Sequence, residues 1–463
     1  MRIFLALWVF MAFSFLEVKA ISLPAIFGDH MVIQRDSEVT IWGWGKAQEP
    51  ISISVSWDAG FLYKSVINNQ GIWQTTIKTP KEAGPHVITI KGYNTIVLND
   101  VLAGEVWLLS GQSNMEWSAN AGIDGGEMAK QNADFPEMRF FRVPHKTSDY
   151  PQDDLQGFWE VCTPETMGNF SAAGYFFGKE IHEQVKVPVG LIQSAWGGTP
   201  AEIWTPEFVV RGDKILNEAS AKLRNEPWGP NKPGVTFNAM IHPLVPYKLA
   251  GVLWYQGETN TVNSKSYSRL LSTMITSWRA AWGDDFAFYL AQIAPYKGYG
   301  SDNNDGAIIR AEQAKVVDLI PKTDMIVVSD IGDLDDIHPR NKIDVGKRFA
   351  GLALKNIYQT NAKLVGFPRY QSHEIKAETV LVHFQNAPNG LKSTGSDISG
   401  FEVQSVDDQW YPAIARISGA DVMVQSASVK KPKNVRFAMK NDSSTNLFNK
   451  EGLPASCFTT GKY

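Results

Sequence analysis

The sequence predicts an α/β protein whose central parallel sheet is flanked by β-rich regions on both sides. Residues 103–361 alternate apolar strand-like runs with amphipathic helical segments, a pattern that builds parallel sheets. Residues 21–102 and 362–463 contain short alternating runs separated by turn signals, which is typical of antiparallel sheets. We therefore expect an N-terminal β-sandwich, a central α/β domain and a C-terminal β-rich domain.

The flanking regions are predicted from the alternation of their side chains. In the first, residues 39–42 and 51–56 alternate apolar and polar positions, and a turn signal occupies 68–71. In the last, runs of the same kind occur at 379–384 and 422–425. Such runs place one face of each strand on a core.

The central domain is predicted from five apolar runs and two helical patterns. The strands are expected at residues 106–109, 189–193, 252–255, 286–291 and 325–328. One helix is indicated by apolar residues spaced along a single face, namely Tyr267, Leu270, Leu271, Met274, Ile275 and Trp278. A second helix begins with Val345, Phe349 and Leu352. Strands separated by helices indicate a parallel sheet.

Residues 1–20 have the pattern of a cleavable export signal. Arg2 precedes an apolar run at 3–16 that is too short to span a bilayer comfortably, and Glu17 ends it. We predict cleavage after Ala20, export to the periplasm or the medium, and no stable membrane insertion afterwards. An uncleaved membrane anchor is the alternative.

Composition excludes some classes of partner. The chain has 463 residues, a formal net charge of −4 and a pI near 6.1, which leaves no basic surface for nucleic acid or anionic membranes. The length suits two or three domains. Its two cysteines, Cys162 and Cys457, allow either one disulfide or two free thiols.

Small or polar residues follow four of the five predicted strands, at the point where each strand ends. They occupy 111–114, 195–199, 256–260 and the stretch from 330 to 338. In open α/β sheets, ligands bind beyond the carboxyl ends of the strands. We therefore expect the four clusters to gather at one edge of the sheet as a single site.

Two of these clusters carry the residues of a hydrolytic site. Ser113 follows the first predicted strand, and His338 follows Asp335 and Asp336 in the last cluster. A serine hydroxyl needs an imidazole to take its proton and a carboxylate to orient that imidazole. The order Ser, Asp, His supplies all three, so the sequence predicts acyl transfer with Ser113 as nucleophile and His338 as base. A capping or core histidine is the alternative for His338.

Attack on an ester would create an oxyanion that needs fixed hydrogen-bond donors. We assign this role to the N–H groups of Ser113 and Gly198 and to the side-chain amide of Gln256. The alternative for the glycine pair at 197–198 is a tight turn after the strand. The alternative for Gln256 and Glu258 is a polar network that braces the strand end.

These residues resemble the sialate O-acetylesterase family of SGNH-type hydrolases. The resemblance is carried by motifs at residues 23–35, 111–116, 197–204, 240–243, 254–258, 336–340 and 446–456. It implies a flavodoxin-like SGNH domain and removal of acetyl groups from carbohydrates without a cofactor. It also implies that Ser113 is the nucleophile and His338 the base.

The orienting carboxylate has two candidates. SGNH hydrolases usually place it three residues before the histidine, which is Asp335 here, whereas many members of this family hold it at the position of Asp336. We assign Asp335, because a side chain three residues back on a turn can reach the imidazole Nδ1, and Asp336 is the alternative.

Substrate contacts are predicted for Gln112, Asn114 and Glu258 of the motifs. They are also predicted for Trp196, next to a motif, and for Arg310. Four aromatic residues near the motifs could stack on a sugar ring or be buried, namely Trp117, Trp196, Trp204 and Tyr255. The predicted substrate is 9-O-acetyl sialic acid, and acetylated xylan or other hemicellulose is the alternative.

Two other classes of function are alternatives to the esterase. A glycan-binding protein without activity would be indicated by loss of the serine or the histidine, and both are present. A metal-dependent deacetylase would need clustered ligands, but the eight histidines include no His-Glu-x-x-His motif and no close pair near Asp or Cys. We therefore expect no metal, and the resemblance implies no other cofactor.

Overall fold

The computed structural model describes residues 20–300, 302–360 and 365–463. The export signal predicted for residues 1–20 lies outside the described residues except for Ala20. Among the helices of the described part of the chain, none combines the length and the apolar character needed to cross a bilayer.

The N-terminal region is β-rich, as predicted, and its strand pairs are antiparallel except for the parallel pair of β1 and β7. Its strands are β1 (Val32–Gln34), β2 (Glu38–Trp44), β3 (Pro50–Val55), β4 (Tyr63–Val66), β5 (Ile72–Lys78), β6 (His86–Lys91) and β7 (Thr95–Gly111). β2 pairs with β5, and β3 lies between β4 and β6. Side chains alternate between the two faces of a strand, so one face of β3 is buried. Ile51, Ile53 and Val55 lie on that face, and the residues between them are less buried.

β7 joins this region to the central sheet. Its first half pairs with β6, and its second half lies between two strands of the central sheet. The boundary predicted between residues 102 and 103 therefore falls inside one continuous strand.

The central sheet is parallel except at one edge. Its further strands are β8 (Phe135–Arg142), β9 (Trp159–Cys162), β10 (Val189–Ala195), β11 (Gly251–Tyr255), β12 (Ala287–Ala291) and β13 (Thr323–Ile326). Their order is β13, β12, β11, β7, β10, β8, β9, and only the β8–β9 pair is antiparallel. β10, β11 and β12 are buried along their whole length, as expected of strands covered on both faces.

Helices connect these strands. They are α1 (Ser113–Glu116), α2 (Gly126–Gln131), α3 (Pro164–Gly168), α4 (Ala172–Val185), α5 (Glu207–Gly212), α6 (Lys214–Ser220), α7 (Tyr267–Trp282), α8 (Asp305–Leu319) and α9 (Lys342–Asn356). Short 3₁₀ segments occur at Ala119–Ala121, Ala201–Trp204, His242–Leu244 and Glu258–Ser266, and a π-helical turn at Phe237–Ile241. All six apolar residues that predicted α7 are buried, and so are the three that predicted α9. Both predicted helices are confirmed.

The C-terminal region consists of antiparallel strands with a core of its own. They are β14 (Arg369–Lys376), β15 (Thr379–Gln385), β16 (Leu391–Ser393), β17 (Phe401–Ser405), β18 (Trp410–Pro412), β19 (Ile414–Ser418), β20 (Asp421–Gln425), β21 (Pro432–Phe437), β22 (Leu447–Asn449) and β23 (Phe458–Thr459). The core also includes Ala307, Ile308 and Ala311 of α8. This helix therefore attaches the C-terminal region to the central domain.

Arg310 of α8 belongs to this attachment. Its side chain is 1% exposed, and its guanidinium donates to the carbonyl oxygen of Lys440 at 2.6 Å and to that of Ala438 at 3.4 Å. A guanidinium enclosed by backbone carbonyls has no face left for a ligand. The structure thus contradicts the prediction that Arg310 contacts substrate.

The two cysteines do not form a disulfide. Cys162 lies at the end of β9 and Cys457 precedes β23, and both are buried free thiols. Burial raises the pKa of the Cys162 thiol to about 12 and also raises the pKa of Cys457.

Candidate active site

The strand ends that were predicted to meet lie at one level of the sheet. Gly111 at the end of β7 is in register with Ala195 of β10 on one side and with Tyr255 of β11 on the other. Its φ of +132° suits glycine, and a Cβ there would collide with the carbonyl oxygen of Tyr255. The close approach of β7 and β11 therefore requires glycine two residues before Ser113.

Ser113 and His338 are in direct contact. Ser113 begins α1, and its Oγ lies 2.9 Å from Nε2 of His338, which is in the loop between β13 and α9. The indole of Trp117 stacks on the imidazole, with ring centroids 4.3 Å apart. Burial and the nearby charge of Lys342 lower the pKa of His338, whereas Asp336 opposes the shift. The imidazole is thus kept neutral and able to accept a proton.

The geometry selects Asp336 rather than Asp335 as partner of the imidazole. Oδ1 of Asp336 lies 3.6 Å from Nδ1 of His338 and accepts the backbone N–H of His338 at 2.9 Å. The side chain of Asp335 is 77% exposed and pairs with Lys297 at 2.8 Å. The assignment of Asp335 from its spacing is therefore contradicted, because this loop turns its carboxylate outward.

Two backbone N–H groups lie near the serine without an intramolecular acceptor. A Cβ at Gly197 would be only 3.3 Å from Cβ of Ser113, so the loop after β10 passes close to the hydroxyl. Gly198 follows with φ +70°, a conformation that favours glycine. Among the described residues, nothing accepts a hydrogen bond from the N–H of Ser113 or of Gly198.

The side-chain amide of Gln256, unlike these two N–H groups, already has acceptors inside the protein. Its side chain is fully buried, and its amide donates to the carbonyl oxygen of Thr199 at 3.2 Å and to Oδ1 of Asn260 at 2.7 Å. Its Oε1 accepts from the hydroxyl of Tyr267. Both amide protons are used, so the prediction that Gln256 stabilises an oxyanion is contradicted. The bracing network considered as its alternative is what the structure contains.

Glu116 and His145, which the sequence analysis did not single out, hold the loop that contains Gly197 and Gly198. Oε2 of Glu116 accepts the N–H of Gly197 at 2.7 Å, and Oε1 lies 2.6 Å from Nε2 of His145. The hydrogen bond to Glu116 raises the pKa of His145. His145 also stacks on Trp196, with ring centroids 4.4 Å apart. Since these residues are far apart in sequence, no local pattern signals their contact.

Asn114 was predicted to bind substrate, but its side chain is buried and forms hydrogen bonds with three other residues of the protein. Its Nδ2 donates to Oε1 of Glu258 at 2.6 Å and to the carbonyl oxygen of Ile337 at 3.1 Å. Its Oδ1 accepts from Nζ of Lys342 at 2.6 Å. Asn114 is 1% exposed, so its amide is fully engaged inside the protein.

Glu258 lies at the floor of the site and is nearly buried. Its side chain is among those that line the cavity around Ser113, although it is only 4% exposed. Burial raises the pKa of Glu258, while its hydrogen bond from Asn114 opposes the shift. Oε2 has no hydrogen-bond partner among the described residues. The carboxylate therefore belongs to the buried polar network around Asn114.

The cavity around the serine has a volume of about 860 Å³ and is lined by Ser113, His338, Gly198, Gln112, Trp117 and Trp228 among others. This size is within the range of small-ligand sites. Gln112 lies at the cavity wall, and its Oε1 accepts at 3.3 Å from the hydroxyl of Thr259. Trp228 is 58% exposed and packs against Gly198.

The aromatic residues named from the sequence have different positions. Trp204 and Tyr255 are fully buried. Trp196 does not line the cavity, and its Nε1 donates to the carbonyl oxygen of Trp228 at 3.0 Å. Trp117 lines the cavity, and Trp228 joins it there. The only sequence signal for Trp228 is an exposed aromatic in a Pro-Trp-Gly-Pro turn, which says nothing about its distance from Ser113.

The fold and the site define an α/β ester hydrolase with a serine–histidine pair at the carboxyl edge of a parallel sheet. Within the described residues, no group of three or more His, Cys, Asp or Glu side chains is arranged to hold a metal ion. The profile of the family described as "Carbohydrate esterase, sialic acid-specific acetylesterase" matches residues 103–355. The chain belongs to this family of carboxylic ester hydrolases.

Individual relatives agree with this assignment. The chain is 27% identical over 449 residues to the rat sialate O-acetylesterase, a match that covers 83% of each protein. It is 29% identical to the human sialate O-acetylesterase over 353 residues, covering 69% of this chain and 67% of the human one. A crystal structure of a carbohydrate acetylesterase from Xanthomonas citri superposes with a TM-score of 0.87 at 32% identity, covering 96% of this chain and all of that one.

Proposed function

We propose that this protein removes acetyl groups from sugars with Ser113 as nucleophile, His338 as general base and Asp336 as the carboxylate that orients the imidazole. The observation that carries the proposal is the 2.9 Å contact between Ser113 Oγ and His338 Nε2 at the wall of an open cavity. A hydroxyl and a neutral imidazole in hydrogen-bond contact form the basic unit of nucleophilic acyl transfer.

The reaction follows from the positions of these groups. Ser113 Oγ attacks the acetyl carbonyl carbon while its proton passes to Nε2 of His338. The N–H groups of Ser113 and Gly198 donate to the oxyanion that forms, and each such donor is worth on the order of 10²- to 10³-fold in rate. The imidazolium then protonates the leaving sugar oxygen. Water, deprotonated by His338, attacks the acetyl-serine, the bond between the acetyl carbon and Ser113 Oγ breaks, and acetate is released. The imidazolium returns its proton to Ser113 Oγ, which closes the cycle.

Asp336 supports this cycle through charge and orientation. Its Oδ1 already holds the backbone of His338 and lies 3.6 Å from Nδ1. Contacts of this kind in a ligand-free site are often longer than in the reacting complex. A carboxylate here stabilises the imidazolium and keeps the proton on Nδ1, so that Nε2 faces the serine.

The sugar that the enzyme selects depends on groups at the rim. A smaller depression shares Gly198, Glu226 and Thr259 with the cavity, and it is lined by Arg224. A guanidinium at this position suits the carboxylate of an O-acetylated sialic acid, the substrate named for the mammalian relatives. The second candidate is a neutral acetylated hemicellulose, because Glu116 and Glu226 line the cavity and would repel an anionic sugar.

A substrate panel with one variant separates these candidates. Acetate release is measured from O-acetylated sialic acid and from acetylated xylan with the wild-type protein, with Arg224→Ala and with Lys222→Ala, an exposed control in the same loop. An increase of about tenfold in KM for the sialic acid alone, seen only in Arg224→Ala, supports the acidic sugar. Faster turnover of xylan without an effect of Arg224→Ala supports the neutral one. Absence of hydrolysis of both contradicts the proposed function.

Export is also part of the proposal. It is supported by the basic start, short apolar run and small residues before Ile21 in residues 1–20. Amino-terminal sequencing of the protein recovered outside the cytoplasm should begin at Ile21. Recovery of an intact Met1 terminus in the cytoplasm would contradict it.

A further inference from the structure

Lys342, the first residue of α9, is a buried cation next to the catalytic pair. Its side chain has no exposed surface, and Nζ donates to Oδ1 of Asn114 at 2.6 Å. The same nitrogen lies 5.8 Å from the ring centroid of Trp117 and 5.4 Å from that of Tyr255. Glu258 and Asp336 act on Nζ through their charges, and its hydrogen bond goes to the neutral amide of Asn114. Removing a lysine ammonium from water costs free energy unless its contacts inside the protein stabilise the charge.

The partner of Lys342 connects both halves of the catalytic pair. Asn114 directly follows Ser113, and its Nδ2 donates to the carbonyl oxygen of Ile337, the residue before His338. The second acceptor of Nδ2 is Glu258. The ammonium has only donors, so it requires the oxygen of the Asn114 amide to face it. The NH₂ end must then face Ile337 and Glu258.

We propose that Lys342 is a positioning residue of the esterase reaction, which acts through Asn114 to hold the His338 loop against Ser113 and through its charge on the imidazole. The inference rests on the proposed roles of Ser113 and His338. Lys342 touches neither the substrate nor the reacting atoms. It fixes the orientation of one amide, and that amide ties the serine helix to the histidine loop.

The charge of Lys342 has a measurable effect of its own on the pKa of His338. Its positive charge lowers the pKa of His338 in addition to the effect of burial, and Asp336 opposes this. The other charged groups of the site are Glu116, which is paired with His145, together with Glu226 and Glu258. Of the charged groups that act on the imidazole, Lys342 is the one that disfavours its protonation, whereas Asp336 favours it.

The test compares pH profiles of kcat/KM for wild-type protein, Lys342→Met and Lys347→Met. Lys347 is an exposed residue of the same helix and serves as the matched control. Lys342→Met should lower kcat by on the order of 10- to 100-fold, because a displaced catalytic group has an effect of this size. Its acid limb should move to higher pH, because a charge that disfavours the imidazolium is lost. The control should match wild type in both respects.

A purely structural role of Lys342 is distinguished from a positioning role by counting the molecules whose Ser113 is reactive. A serine-directed phosphonate titrates the fraction of molecules with a reactive Ser113, and kcat is expressed per reactive site. An unshifted acid limb in Lys342→Met, with full activity per reactive site, would overturn the inference while leaving the esterase mechanism intact. Failure of the wild-type protein to react with the phosphonate would instead overturn the proposed function.

Two further variants keep the test decisive if Lys342→Met does not fold. Lys342→Gln is neutral but polar, and it should show the same movement of the acid limb. Asn114→Leu removes the amide through which Lys342 acts. The losses in kcat of Asn114→Leu and Lys342→Gln should therefore not add in the double variant, whereas additive losses would show that the two residues act separately.

Discussion

Nε2 of His338 lies 2.9 Å from Oγ of Ser113, although 225 residues separate the two in the chain. The contact forms because β7 and β13 belong to one parallel sheet and the segments that follow them emerge at the same edge. Ser113 begins the helix after β7, and His338 lies in the loop between β13 and α9.

Asp336→Asn should be far more damaging than Asp335→Asn. Asn keeps the oxygen that accepts the His338 backbone N–H but loses the negative charge beside Nδ1. We expect kcat to fall by about 10²-fold or more, since the equivalent change in a protease triad has an effect of about 10⁴-fold. Steady-state kinetics with a sugar acetate measures this.

Asp335→Asn is the natural control, because it makes the same change one residue earlier. Its carboxylate is exposed and pairs with Lys297, a kind of contact that contributes little. We expect kcat to stay within about threefold of wild type. Equal large losses in the two variants would show that the carboxylate in contact with the imidazole is not decisive.

Trp228→Ala should weaken sugar binding without slowing the chemistry. Burial of about 60 Å² of indole against a sugar ring is worth about 1.5 kcal/mol, or about tenfold in KM. We expect that increase for an acetylated sugar and no change in kcat/KM for ethyl acetate, which has no ring to stack. Tyr150→Ala, which removes an aromatic residue that is 78% exposed, is the control. A loss with ethyl acetate would mean that Trp228 positions Gly198 instead.

The two cysteines should be unreactive in the folded protein. Both are buried and free, and burial raises the pKa of each thiol, which lowers the fraction of reactive thiolate. An Ellman assay should detect almost no thiol in the native state and two per chain after unfolding without a reductant. Detection of none after unfolding would indicate a disulfide.

Lys342 should make the stability of the protein depend on pH. Burial lowers its pKa to about 7, and Glu258 and Asp336 oppose the shift. Above this value the unfolded state, with a lysine pKa near 10.4, binds one more proton than the folded state. The free energy of unfolding from this residue therefore rises with pH between about 7 and 10, by at most about 1.4 kcal/mol per pH unit.

Urea titrations of wild type and Lys342→Met at several pH values measure this dependence. Other groups titrate in both proteins, so the difference in free energy of unfolding isolates Lys342. The stability of wild type relative to the variant should increase from pH 7 to pH 10. A difference that does not change with pH would mean that Lys342 keeps an ordinary pKa when folded.

The sequence predicted the parts of this structure that depend on local pattern. The spacing of Tyr267, Leu271 and Trp278 predicted α7. Apolar runs predicted the second half of β7 and the strands β10, β11, β12 and β13, with β13 beginning two residues earlier than expected. β8 and β9 were not predicted, because their side chains lack a clear period. The meeting of strand ends followed from parallel topology.

What the sequence could not give was the direction in which side chains point. Asp335 and Asp336 differ by one position, and only the course of their loop turns Asp336 inward. Gln256, Asn114 and Arg310 are residue types that often bind ligands, but their polar atoms form hydrogen bonds inside the protein. Burial is a property of the folded chain, and a motif does not report it.

The central claim is that Ser113 attacks the acetyl ester, and acetate release by Ser113→Ala tests it most directly. The measurement uses an O-acetylated sugar, with Ser396→Ala, an exposed serine of the C-terminal region, as control. We predict a loss of at least about 10³-fold in kcat for Ser113→Ala with an unchanged melting temperature, and wild-type activity for Ser396→Ala. Retention of more than a few per cent of the wild-type rate by Ser113→Ala would contradict the account.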